Sequence, residues 1–112
     1  MSEMLLNFVE ELGKNTNFWQ NNDKIGSSNV RKLATMAVNA SCYKEFRLFM
    51  EYKKGKGNGW DRIFSGNKAL ADVIMEYMDR IYEKCGGDDK KALEEISRFF
   101  GYLYWKLRAL KR

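Results

Sequence analysis

The chain has 112 residues, of which 45% are hydrophobic and 31% charged, the composition of one globular domain spanning 1–112 around a single modest core. It carries a net charge of +5 and no histidine, which removes the commonest general base and the Ser-His and Cys-His nucleophile pairs. Its two cysteines, Cys42 and Cys85, lie far apart and outside any CxxC pair, so neither a metal nor a cofactor is expected, and both thiols read as free in a reducing compartment.

The first element is a helix that Ser2 is placed to cap, with Leu5, Phe8, Val9 and Leu12 at i, i+3, i+4 and i+7 and Gly13 placed to end it. Met4-Leu5-Leu6 is broken at once by Asn7, and acidic groups stand where a basic leader would, so no secretory signal is expected. No segment reaches the roughly 18 apolar residues of a membrane span; the expected location is cytoplasmic. The asparagine-rich KNTNFWQNNDKIG that follows reads as a loop, because asparagine competes for backbone hydrogen bonds. Phe18 and Trp19 are expected to pin it to the body, with base stacking by Trp19 as the lesser alternative.

Ser27 or Ser28 is placed to cap a second helix with the stripe Val30, Leu33, Ala34, Ala37 and Val38, which continues, or restarts at Ser41, through Tyr43, Phe46, Phe49 and Met50. Its polar side carries Arg31, Lys32, Lys44, Arg47, Lys53 and Lys54. Arg31 and Lys32 sit near the helix start, where positive charge opposes the macrodipole, so a binding partner accounts for them better than helix stability does.

The helix runs into YKKGKGNGW, residues 52–60. It is not a P-loop, since GxxxxGK[ST] is absent, nor a dinucleotide fingerprint, which needs a strand–turn–helix setting. Two readings stand. Gly55, Gly57 and Gly59 with Lys53, Lys54 and Lys56 suit a mobile loop that follows a nucleic-acid backbone; they equally suit a lysine-solubilised hinge between helices. Trp60 to Phe64 reads as a short helical turn. Asn67 then caps a helix with Leu70, Ile74, Tyr77, Met78 and Ile81 on one face and a solvated face that includes an expected Glu76–Arg80 pair. Cys85-Gly86-Gly87 ends it.

The last helix, capped by Asp88, has the clearest pattern: Leu93, Ile96, Phe100, Leu103, Leu107 and Leu110 form an unbroken seam. Phe99, Tyr102 and Trp105 make a second stripe, and Gly101 would let a neighbouring backbone come close. The helix is either central to the core or turned with its aromatic stripe toward a second subunit, and Phe99, Tyr102 and Trp105 are the candidate self-association contacts. There is no proline, and no strand pattern or repeat. The expected fold is an all-α bundle of about four or five helices.

Charge is uneven. Residues 31–62 carry eight basic groups against Glu45, Glu51 and Asp61, a net of +5, while the tail 106–112 holds Lys106, Arg108, Lys111 and Arg112 with no acid. Such zones attract polyanions. The candidate nucleic-acid contacts are Arg31, Lys32, Lys44, Arg47, Tyr52, Lys53, Lys54 and Lys56.

SSNVRKLATMAVNAS, followed by EFRLFMEYKKGKGNGW, resembles the central region of small subunits of CRISPR effector complexes, above all the type III-A kind. The likeness covers mostly residues 27–60. The aromatic FFGYLYWKL is similar to the family's last helix in character, and the type I-A small subunits are similar in size and helical content. The resemblance implies a non-catalytic helical subunit that stacks on copies of itself beside other effector subunits and holds guide RNA and target nucleic acid by their phosphates. It implies Arg31, Lys32, Tyr52, Lys53 and Lys56 as contacts, with Lys56 standing where arginine is expected. The rival expectation is a stand-alone protein-binding module with an acidic partner. An enzyme is a distant third.

Overall fold

The computed structural model describes residues 1–22 and 25–110; Asp23 and Lys24 of the asparagine-rich segment, and Lys111 and Arg112 of the basic tail, lie outside the described residues. The longest helix is the last, and the rest is arranged around it. In chain order the elements are α1 (Ser2–Gly13), α2 (Thr16–Gln20), α3 (Ser27–Asn39), α4 (Tyr43–Lys56), β1 (Ile63–Ser65), β2 (Lys68–Ala69), α5 (Leu70–Lys84) and α6 (Asp89–Leu110). α6 packs most extensively on α3 and α1, and also touches α4 and α5. The protein is a mostly helical bundle, and no helix among the described residues is long and apolar enough to cross a membrane.

The seam of α6 is buried from Leu93 to Leu107, and Leu110 is partly buried against the core. Each fully buried Leu or Phe of that seam contributes about 1.5–3 kcal/mol of transfer free energy. Phe99 belongs to the same core, at 0% exposure, with its ring 6.4 Å edge-on to Phe8 of α1 and 6.0 Å from Tyr77 of α5. The expected contact stripe therefore loses its first member: α1 and α5 close over that side of α6. Tyr102 is half-buried and Trp105 stands out in solvent. Gly101 admits no close neighbour, since an added Cβ there would meet nothing within 4 Å.

Several ends are set by local chemistry. Asp88 accepts a hydrogen bond from the Lys91 amide at 3.1 Å, an N-cap for α6, and Gly86 and Gly87 take φ of 66° and 78° after α5. Other ends differ from expectation. α1 begins at Ser2 itself, whose hydroxyl accepts from Arg98 rather than capping, and α3 begins at Ser27 after Gly26. The break between α3 and α4 falls at Ala40–Cys42, where the Ser41 amide and hydroxyl both donate to Glu45.

The asparagine-rich segment contains a short helix, α2, because the Asn15 side chain accepts from the Phe18 amide. Phe18 and Trp19 pack inward as expected, and the Trp19 indole donates to the Leu12 carbonyl at 2.8 Å. The stretch read as a helical turn before α5 is instead a small antiparallel hairpin, β1 with β2, turning through Gly66 at φ 57°. It is held because Phe64 packs edge-on to Phe18 at 4.9 Å and its carbonyl accepts from Asn15 at 2.8 Å. The same segment satisfies the exposed amides of α5: Leu70 donates to the Arg62 carbonyl and Ala71 to that of Trp60, while Asp72, rather than Asn67, accepts from the Ala69 amide.

Candidate nucleic-acid interface

α4 decides which of the basic residues remain free for a ligand. Its core line is Tyr43, Phe46 and Met50, and on either side of that line runs a stripe with i, i+4, i+7 spacing. On one flank, Arg47, Glu51 and Lys54 turn toward α5. Arg47 grips Asp79 through Nε at 2.8 Å and Nη2 at 2.9 Å and reaches Glu51 at 3.0 Å, and Lys54 pairs with Asp72 at 3.1 Å. The Tyr43 hydroxyl also donates to Asp79. The bonded guanidinium holds the Asp79 carboxyl below its ordinary range, and Asp79 in turn holds Arg47 firmly protonated. Burial, then the neighbouring Asp79, pushes the Tyr43 phenol up. These cations are already neutralised by structural carboxylates.

On the other flank, Phe49, Lys53 and Lys56 turn toward Trp60. The Lys53 ammonium lies 5.7 Å from the Phe49 ring centre and 5.5 Å from that of Trp60, and the Lys56 ammonium lies 5.6 Å from that of Tyr52. Aromatic faces position a cation without cancelling its charge, which a carboxylate would do. Burial, then repulsion from Lys56 and from Lys32 of α3, lowers the pKa of Lys53. Among the described residues none of Lys32, Lys53 and Lys56 joins an ion pair. Lys53 and Lys56 are thus held on the rings of Phe49, Trp60 and Tyr52, with Lys32 near enough to repel Lys53.

The turn YKKGKGNGW is what holds the floor of this cluster. α4 runs through Gly55 to Lys56, Gly57 caps it at φ 89°, and Asn58 and Gly59 follow at 55° and 99°. The Trp60 amide donates to the Gly57 carbonyl and that of Arg62 to Gly59, both at 3.1 Å. Trp60 is 2% exposed and packs in the core, which leaves it no base to stack on. A Cβ on Gly59 would lie 2.6 Å from the Ile25 side chain. Along this connection Gly59 is buried, Gly57 half-buried and Gly55 exposed, while Lys56 faces solvent and Lys53 and Lys54 are half-buried.

The remaining candidates separate. Tyr52 is exposed beside Lys56. Lys44 is exposed at the start of α4, nine residues and roughly 14 Å along the helix from Lys53, and lies apart from the cluster. Arg31 points the other way from its neighbour Lys32, with its guanidinium 5.5 Å over Tyr104 of α6. It lines a groove of about 470 Å³ between α3 and α6, with Arg98, Gly101, Tyr102, Tyr104 and Trp105. Sequence reasoning missed Arg98 and Tyr104. The signal for the first was present: Arg98, Tyr102 and Trp105 fall at i, i+4 and i+7, opposite the seam. Glu76 pairs with Lys68 at 2.7 Å, and Arg80 lies over the Phe8 ring at 4.7 Å, so the Glu76–Arg80 pair does not form.

No protein-family model, curated protein or solved structure matches the chain.

Proposed function

We propose that this protein binds the sugar-phosphate backbone of RNA through Lys32, Lys53 and Lys56, as a non-catalytic small subunit of an RNA-guided CRISPR effector complex. The observation that carries the binding reading is the sorting of cations on α4. Arg47 and Lys54 are spent on Asp79 and Asp72, whereas Lys53 and Lys56 are held on aromatic faces and join no ion pair among the described residues, with Lys32 close to Lys53. An unpaired cluster of this kind destabilises the free protein slightly and is relieved by phosphate, with no preference among bases. Assignment to the effector complex rests on the likeness of residues 27–60 to its small subunits, and the cluster lies within that stretch.

The test is filter binding of RNA across a salt series with wild type and the Lys32→Ala/Lys53→Ala/Lys56→Ala variant. Three lost phosphate contacts lower the slope of log affinity against log salt by about 2 to 3, equally for unrelated sequences. Unchanged affinity in the triple variant refutes the binding site. Purification from the native source tests the assembly: guide RNA and effector subunits accompany the protein if the reading holds, and a single tight protein partner indifferent to nuclease points to the rival module.

A further inference from the structure

The groove between α3 and α6 is not used by the lysine cluster, yet it opens one residue away from it, across the crest of α3 between Lys32 and Arg31. We infer that this groove receives an unpaired nucleobase of a single-stranded RNA, stacked on Trp105 and Tyr102 with its flanking phosphates held by Arg31 and Arg98. The inference rests on the backbone-binding reading above and adds the strandedness of the ligand.

Four features argue for that occupant. Trp105 is 67% exposed, far beyond what packing of a tryptophan in this core requires, and its ring is tilted 5.7 Å from that of Tyr102, leaving an aromatic face bare at the rim. The lining contains two guanidiniums and no carboxylate, and neither arginine joins an ion pair among the described residues. Arg31 is oriented by the Tyr104 ring and Arg98 by the Ser2 hydroxyl at 3.0 Å, both contacts that leave the charge uncancelled. Gly101 leaves open space on the groove wall where any other residue would place a side chain. Ring faces flanked by unneutralised arginines are the chemistry of a base with its phosphates, because every base has a π-face and every linkage a negative charge. A duplex offers the charge but keeps its bases stacked. A second copy docked groove to groove would oppose four guanidiniums with no acid in either lining, a repulsive arrangement.

Tryptophan fluorescence reads this groove directly. Of the three tryptophans, Trp19 and Trp60 are 4% and 2% exposed, so a base that stacks in the groove quenches Trp105. The probes are oligouridylate, an RNA duplex of equal length and inorganic polyphosphate. Oligouridylate is expected to quench, and the other two to bind without quenching. Trp105→Ala should abolish the quench and weaken oligouridylate about 5- to 150-fold, the range for loss of one base stack, while duplex affinity stays unchanged. Oligouridylate binding without a quench, or with equal affinity in Trp105→Ala, overturns the groove and leaves the lysine cluster standing. Unchanged duplex binding in the triple lysine variant overturns the cluster instead. If the RNA-free protein self-associates and Trp105→Ala dissolves the assembly, the groove is a contact between copies and the inference is wrong.

Discussion

Replacing Gly59 by alanine puts a methyl group where Ile25 already sits. The added Cβ would lie 2.6 Å from Cγ1 and 2.9 Å from Cδ1 of a side chain that is itself buried, and the backbone there has φ of 99°, which side-chain-bearing residues rarely adopt. The backbone strain costs about 1–3 kcal/mol, and overpacking costs about 1–3 kcal/mol more if Ile25 leaves its rotamer. Together these remove about 2–6 kcal/mol from a domain whose total stability is of the order of 5–15 kcal/mol. The melting temperature should fall by roughly 8–25 °C. Gly55 provides the internal control: it lies within α4, has no positive φ, and an added Cβ meets nothing within 4 Å. Gly55→Ala should therefore be neutral or stabilising by up to about 0.5–1 kcal/mol. Far-UV circular dichroism melts of the two variants make the comparison, with RNA binding measured well below both transitions. Neither variant should lose affinity while folded, since neither moves a lysine. If Gly59→Ala melts with the wild type, the turn is not packed against Ile25. If it folds normally and loses RNA, the glycines serve the ligand after all.

Two further outcomes follow from the charge networks. Since Lys53 titrates below the ordinary lysine range in the free protein and phosphate draws its pKa back up, RNA affinity should fall as pH rises through that lowered pKa. Over the same window the free protein gains stability, because the unfolded chain then holds the proton more tightly than the folded one. Lys53→Arg should keep the affinity and flatten the alkaline fall, as a guanidinium stays protonated; an identical fall in both proteins refutes the assignment. Asp79→Ala should cost about 1–2 kcal/mol in urea melts at neutral pH, a figure reduced for its partly exposed pair with Arg47. Because the folded pKa of Asp79 is depressed, its contribution is present above the unfolded carboxylate pKa and fades as pH falls through the folded one. A deficit that stays the same size in strong acid argues against it.

The long helices were legible because amphipathic periodicity is a local property, whereas the five-residue α2 is too short to show one and reads as a loop. The α6 seam, the α1 stripe, the Asp88 cap and the glycines after Cys85 all follow from spacing and backbone preference within one turn. The short hairpin was not, because three residues paired with two carry no periodicity; it exists because Phe64 finds Phe18 and Trp19, residues more than forty positions away. The candidate basic residues were all visible in the sequence, and their sorting was not. Arg47 and Lys54 look no different from Lys53 and Lys56 until α5 brings Asp79 and Asp72 against one flank of α4 and Trp60 folds under the other. Phe99, likewise, joins Tyr102 and Trp105 on the helix surface and is parted from them only when α1 and α5 close over it. Composition and periodicity thus determined a basic helical bundle. Which charges remain unpaired, and which aromatic rings remain bare, depended on side chains far apart in the chain meeting in space, a long-range choice that no local pattern encodes.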